Sequence, residues 1–386
     1  MGATTGIEWT DATWNPIRGC SRVSEGCRNC YAESVAHRFS GPGQPCEGLT
    51  KIVNGHPTWS GEVRFVENHL LDPLKWRAGV PLYDATTGKA CGRDPNRPRR
   101  IFVNSMSDLF HENVPDEWID KIFAVMALCP QHTFQVLTKR PERMLKYLAD
   151  PAVQDRVAGA ISPFDLESVV RLESYADRSH LRGADGVLVS VFSRWPFPNV
   201  WLGVSVEDQA TADKRIPLLL QTPAAVRFVS AEPLLGPLEL DDIVVQDGPG
   251  EWHFSCLDDD GSIEDDTDFH GAMVDWIICG GESGPGARPM HPGWARGLRD
   301  QCVTAGVPFF FKQWGEWSPV ERRDDLPARP WMVRDGDALL LADGSTVDYD
   351  ECGGVSDALP MRRVGKKSAG AMLDGREWRE FPGVRS

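Results

Sequence analysis

No run of apolar residues in this 386-residue chain approaches the roughly 18 needed to cross a bilayer, and its opening, MGATTGIEWTD, lacks the basic and apolar stretches of a secretory signal. A cytoplasmic protein with no membrane partner is the expectation. Positive charge is also scarce: 41 Lys and Arg face 56 Asp and Glu, a formal net charge of −15. That balance excludes a broad, non-specific grip on phosphate backbones, which requires cations to displace counterions. A local basic groove stays compatible with it. Part of the acid excess sits in one run, Asp258 to Asp268, which reads as a solvated loop. Internal repeats and low-complexity tracts are missing, as is a second Cys-x-x-Cys beside Cys27-x-x-Cys30.

Ten cysteines without an export signal argue against a disulfide framework, because the cytosol keeps thiols reduced. Metal binding becomes their leading special use. A hydrophobic share of 41% and a charged share of 25% are those of a globular chain with a sizeable core. Short β-branched runs recur along it, each ending in a polar or glycine-rich turn and usually followed by a helix-like stretch. The runs are Ile7 to Thr13, Ile101 to Asn104, Thr133 to Leu137, Val200 to Val206, Val226 to Ser230, Trp276 to Cys279 and Pro308 to Lys312. Helices are expected at Asn29 to Phe39, Glu67 to Trp76, Asp116 to Cys129, Pro141 to Leu148, Ala210 to Leu220 and Gly293 to Ala305.

This alternation predicts an α/β fold with a parallel sheet, open or closed into a (β/α) barrel. Residues 1–317 form the barrel-like part, with insertions at about 40–61, 83–99, 150–199 and 246–273 where periodicity fades. Residues 318–386 read as a small C-terminal appendage, with a hairpin at Leu339 to Val347 turning on Asp343 and Gly344.

The chemistry concentrates in Trp14-Asn-Pro-Ile-Arg-Gly-Cys20-Ser-Arg-Val-Ser-Glu-Gly-Cys27-Arg-Asn-Cys30-Tyr31-Ala. Three thiolates within eleven residues, bracketed by Gly19 and Gly26, can fold around one metal centre without long-range help. On a four-iron cluster, three protein sulfurs leave one iron open to a ligand. Spacing alone also allows zinc, with His37 on the following helix as a fourth ligand.

The sequence N-P-x-R-G-C followed by C-x-x-C-Y-A resembles the cluster loop of radical S-adenosylmethionine (radical SAM) enzymes, nearest the spore photoproduct lyase-like branch. That branch normally places three residues between its first two cysteines, whereas this chain has six between Cys20 and Cys27. The whole chain resembles an uncharacterised, phage- and bacterium-borne family with this three-cysteine motif. The likeness runs from Ile7-Glu-Trp-Thr through Phe309-Phe-Phe-Lys-Gln-Trp-Gly315 and on to Arg363-Val-Gly-Lys-Lys. It implies a partial parallel (β/α) barrel of radical SAM type, with a [4Fe-4S] cluster held by Cys20, Cys27 and Cys30. S-adenosyl-L-methionine would chelate the open iron, and a reductant such as flavodoxin or ferredoxin would supply the electron.

The resemblance and the polar strand ends together nominate further residues. Tyr31 matches an aromatic that packs near the adenine, the alternative being a shield over the cluster. Ser105 and Asp108 end the second strand, where they can receive the methionine amino group or a substrate, with helix capping the other role for Asp108. Lys139, in a Thr-Lys pair like that of the photoproduct lyase-like enzymes, is implied to meet the cofactor carboxylate. Ser205 and Glu207 follow the next strand and are assigned to the cofactor, while Glu232 after the fifth is assigned to a substrate pocket.

Gly280-Gly-Glu282 resembles the Gly-Gly-Glu that holds the methionine amino group, but that motif belongs near the second strand and this one sits near the sixth. Glu282 is therefore assigned with Arg288 to the substrate pocket, the glycines allowing close ligand approach. Lys312, Gln313 and Trp314 can hydrogen-bond and stack a nucleobase, although with fourteen tryptophans core packing competes for Trp314. No catalytic residue is singled out, and lyase and transferase chemistry are not separated. The expectation is a radical SAM enzyme acting on a nucleotide or nucleic acid. The alternatives are a radical enzyme for a peptide or small molecule, or a zinc- or cluster-bearing binding module that serves a partner protein.

Overall fold

The computed structural model describes residues 5–76, 80–83, 90–94, 98–160, 195–247, 250–258, 272–320, 337–347 and 358–383. Seven strands build its main sheet: β1 (Ala12–Trp14), β2 (Arg99–Val103), β3 (His132–Thr138), β4 (Val200–Val206), β5 (Val226–Ala231), β6 (Trp276–Gly280) and β7 (Phe309–Gln313). Their spatial order repeats their chain order. The pairs β1 with β2, β2 with β3, β5 with β6 and β6 with β7 run parallel. Helices interleave with them: α1 (Tyr31–Arg38), α2 (Asp116–Ala127), α3 (Pro141–Leu148), α4 (Gln209–Gln221) and α5 (Pro292–Ala305). A parallel sheet wound in one direction with helical crossovers is an α/β fold consistent with a partial (β/α) barrel.

Two compact units divide the chain. The first comprises residues 1–22, 32–203 and 222–227. Here β1 and β2 bury Ala12, Trp14, Ile101 and Val103, while the alternate residues Thr13 and Phe102 stay half-buried. One sheet face is thus sealed and the other partly open. Pro115 precedes α2 and carries extended backbone, a position where its missing N–H costs nothing. The helix then buries Ile119, Ile122, Phe123, Val125 and Met126. Each such side chain contributes about 1.5–3 kcal/mol on leaving water.

The second unit comprises residues 23–31, 204–221 and 228–386. Phe309, Phe310 and Phe311 are consecutive and all buried, so β7 is covered on both faces. Its free edge is covered as well. Phe311 donates its N–H to the Trp378 carbonyl, Glu380 donates to the Phe309 carbonyl, and Phe310 pairs antiparallel with Arg379. The C-terminal segment thereby removes an exposed strand edge. Before it, Trp317–Pro319, Ala338–Leu340, Thr346–Val347 and Leu359–Arg363 form a four-stranded sheet of antiparallel pairs. The expected hairpin is there, with Gly344 at φ 88° and the Asp343 carboxylate accepting the Ser345 N–H at 2.9 Å.

Three expectations shift. The first strand starts at Ala12 instead of Ile7, because Thr10 N–H turns back to the Ile7 carbonyl and Asp11 takes the Arg100 backbone N–H at 2.9 Å. Those side-chain and turn contacts compete with a ladder. The helix expected over Glu67 to Trp76 divides into Glu67–Leu70 and Asp72–Lys75, with Pro73 in the first turn of the second piece. The insertion at 40–61 holds a hairpin, Thr50–Val53 with His56–Trp59, turning on Asn54 and Gly55 at φ 50° and 78°. The insertion at 83–99 is flanked and entered by a second, pairing Val80–Tyr83 with Ala90–Asp94. A third pairs Ile243–Asp247 with Gly250–Phe254, and residues 161–194 and 259–271 of the other two insertions lie outside the described residues.

Candidate functional site

The cysteine loop begins on the first unit. Gly19 has φ 95°, and a side chain there would drive into the Glu62 carbonyl, so only glycine fits. Its N–H donates to the Met106 carbonyl, and it bridges Ser107 in parallel fashion. The loop after β1 is thereby fastened to the loop after β2. Asn15 and Asn104 reinforce this: Asn15 Oδ1 accepts from Ser105 Oγ at 3.1 Å and Met106 N at 3.0 Å, and Asn104 Oδ1 accepts from Ile17 N at 3.3 Å. Ser105, expected at the cofactor, here secures one loop to the next.

Asp108 is buried and accepts four hydrogen bonds, from Thr138 Oγ1 (2.7 Å), Phe110 N (3.0 Å), Lys139 N (3.1 Å) and Arg140 Nη1 (3.1 Å). Its carboxylate organises the Thr138-Lys139-Arg140 turn after β3. Lys139 is half-buried and contributes its backbone N–H to that turn. Its neighbour Arg140 reaches the cysteine loop. Its guanidinium donates to Glu112 Oε2 at 2.7 Å, Ser21 Oγ at 2.7 Å, the Ser21 carbonyl at 3.2 Å and Cys20 Sγ at 3.8 Å.

Ser21 Oγ is a junction. It donates to Glu112 Oε1 at 2.9 Å and lies 2.9 Å from His111 Nε2. Asn113 N donates to His111 Nδ1 at 3.1 Å, which leaves the proton of the neutral ring on Nε2, facing Ser21. Burial and the nearby Arg140 lower the His111 pKa and favour that neutral ring. Burial works against charge on Glu112, but hydrogen bonds from its own backbone, Arg140 and Ser21 prevail and hold its carboxyl down at about 2. Further along, Arg22 grips the buried Glu33 of α1 through two bonds of 2.9 and 2.5 Å.

On the second unit the loop continues as a single 3₁₀ turn, Glu25–Cys27, in which Cys27 N–H returns to the Ser24 carbonyl. Ser24 Oγ donates to Glu207 Oε1 at 2.9 Å, and Ser24 Oγ lies 3.9 Å from Cys27 Sγ. Gly26 rests flat on Glu207, whose carboxylate would collide with any side chain at that position. Glu207 is buried beside Arg215, with Nη1 to Oε2 at 3.1 Å. Arg215 also donates to the Ser205 carbonyl at 2.6 Å, and Ser205 Oγ donates to the Glu232 carbonyl at 3.2 Å. Glu207, held by Arg215, thus forms a platform under the Cys27 turn.

Glu282 and Arg288 hold the same stretch. Glu282 is buried and accepts Arg288 Nη2 at 2.7 Å, Arg288 Nε at 3.0 Å and Asn29 Nδ2 at 3.0 Å. Arg288 continues to the Glu25 carbonyl at 3.0 Å. The glycines around Glu282 serve chain-to-chain approach, since Gly281 abuts the Trp314 carbonyl and Gly315 abuts the Glu282 carbonyl. Lys312 Nζ pairs with Glu232 Oε1 at 2.5 Å, and Gln313 Nε2 donates to Ser283 Oγ at 3.0 Å. Trp314 is core: it is 5% exposed, packs on Phe311 and donates its indole N–H to the Met372 carbonyl. Tyr31, the first residue of α1, is 53% exposed.

The thiols fall into two groups. Cys20, Cys27 and Cys30 are half-buried, whereas Cys46, Cys129, Cys256, Cys279 and Cys302 are buried, and burial raises the pKa of each of those five. Only the loop thiols, among these eight, combine access with the loop location a ligand needs. Among the described residues no three His, Cys, Asp or Glu side chains stand together as a metal-holding group. The fit of the loop to a cluster therefore rests on donor chemistry, sulfur being the ligand such clusters take. Sequence reasoning missed Ser21, Glu112, Arg140, Arg215 and Asn29; for Arg140 the available signal was a second cation directly after Lys139.

No helix among the described residues is long and apolar enough to cross a membrane. No curated protein and no solved structure matches the chain. Residues 4–382 match the family described as protein of unknown function (DUF5131), and the chain belongs to that family.

Proposed function

We propose that this protein is a radical SAM enzyme whose cysteine loop carries a [4Fe-4S] cluster on Cys20, Cys27 and Cys30. The observation that carries the reading is the division of the thiols: Cys20, Cys27 and Cys30, all half-buried, share the loop after β1, whereas Cys46, Cys129, Cys256, Cys279 and Cys302 are buried. A loop after a strand of a sequentially wound parallel sheet is also where (β/α) folds place their chemistry. Held by Cys20, Cys27 and Cys30, such a cluster would supply the single electron that reductive cleavage of a carbon–sulfur bond in S-adenosylmethionine requires.

The chain's own groups prepare the loop for this. On the first unit Arg140 sets a buried cation 3.8 Å from the Cys20 sulfur. On the second, Ser24, Glu207, Asn29, Glu282 and Arg288 fix the turn that bears Cys27 and Cys30. The substrate is read as a nucleotide or nucleic acid. Its support is the Lys312–Glu232 pair and the Gln313 amide, which offer a donor and acceptors near the ends of β5 and β7. Trp314, being core, is not part of that reading. The electron donor is assigned to the flavodoxin or ferredoxin class.

Anaerobic reconstitution with iron and sulfide, followed by reduction in the presence of S-adenosylmethionine, tests the reading. Wild type is expected to turn brown and release 5′-deoxyadenosine, and Cys27→Ala to lose both properties. Stoichiometric zinc with no nucleoside product would sink it.

A further inference from the structure

The structure assigns Arg140 a role no motif suggests: it is a positioning residue that sets the electron affinity of the proposed cluster through the Cys20 sulfur. This rests on the cluster reading above. The side chain is 9% exposed and spends its donors on Asp108, Glu112, Ser21 and Cys20, so it cannot swing away without stranding several partners. Its two carboxylate neighbours differ. Asp108 is 8% exposed and fixed by Thr138, Phe110 and Lys139, whereas Glu112 is 59% exposed and can be altered without opening the core.

The physical consequence follows from charge. A guanidinium N–H on a coordinating sulfur draws electron density from it and favours the reduced, more negative form of the metal centre. Arg140 therefore raises the one-electron midpoint potential. Glu112, an anion at 2.7 Å from the same guanidinium, offsets part of that field. Removing the cation and removing its exposed counter-anion must then act in opposite directions. A merely structural role for the network would not produce that sign reversal.

The experiment is a redox titration, followed by electron paramagnetic resonance, of reconstituted wild type, Arg140→Lys, Arg140→Met and Glu112→Gln, without S-adenosylmethionine. The potential is expected to fall in Arg140→Met, to fall less in Arg140→Lys, which keeps the charge but not the fork, and to rise in Glu112→Gln. Should Arg140→Met not fold, Arg140→Lys and Glu112→Gln still carry the opposite signs. Potentials that stay at the wild-type value, or move together, would overturn the assignment while leaving the cluster reading intact. A wild type that assembles no cluster would overturn both.

Discussion

Replacing Asp108 with alanine isolates the strut on which the strand-end network stands. The side chain is 8% exposed and receives two backbone N–H groups, the Thr138 hydroxyl and the Arg140 guanidinium. Breaking a buried ion pair from one side costs about 3–5 kcal/mol, because the partner charge stays desolvated and unpaired. Arg140 keeps Glu112 and Ser21, which places the expected loss near the low end, about 3 kcal/mol. Asp108→Asn retains the shape and an oxygen acceptor but surrenders a hydrogen bond between charged groups, for about 1.5–3 kcal/mol. Glu112→Gln is the control: that side chain is 59% exposed, and an exposed pair is worth about 0–1 kcal/mol. Urea unfolding followed by circular dichroism, with midpoints compared at matched slopes, reads all three. If Asp108→Ala costs no more than Glu112→Gln, Asp108 is not the strut described here.

Acid provides a second measurement. The Glu112 carboxyl sits at about 2 against an ordinary 4.5, so its contribution to stability is complete above about 4.5 and disappears as pH falls toward 2. Solvent screening of this exposed side chain keeps the effect small. The expected outcome is a shallower loss of stability across that window in Glu112→Gln than in wild type, and parallel curves would refute it. Gly26→Ala forces a methyl group against the buried Glu207 carboxylate, which Arg215 and Ser24 hold in place. Overpacking of this kind costs about 1–3 kcal/mol. Hydrogen exchange is expected to quicken across the Glu25–Cys27 turn in that variant, and unchanged protection would argue that the turn does not rest on Glu207.

Much of the sheet was readable from sequence because its strands are nearly continuous apolar runs bounded by polar turns, as at Val200–Val206, where all seven residues are buried. Helix α2 was readable through its three- and four-residue apolar spacing. The first strand was not, because Thr10 and Asp11 look like ordinary strand-compatible residues until their side chains are seen taking the groups of Arg100. The closure of the β7 edge by Arg379 and its neighbours was equally hidden. Nothing local in the last residues of the chain encodes a partner some seventy positions earlier, and only tertiary placement makes that pairing.

The polar strand ends teach a sharper lesson about function. Ser105, Asp108, Ser205, Glu207 and Glu282 were nominated because polar residues at such positions look available to a ligand. In the fold each meets protein groups, and buried carboxylates such as Glu207 and Glu282 do so of necessity, since an unpaired buried charge costs several kcal/mol. Three of them act on the cysteine loop: Asp108 orients Arg140 toward Cys20, Glu207 underlies Gly26, and Glu282 with Arg288 holds Asn29 and Glu25. Five buried or half-buried side chains spent on one short loop is a large desolvation cost for a connector. The proposed role of that loop, to present Cys20, Cys27 and Cys30 to a cluster, would make such a cost intelligible.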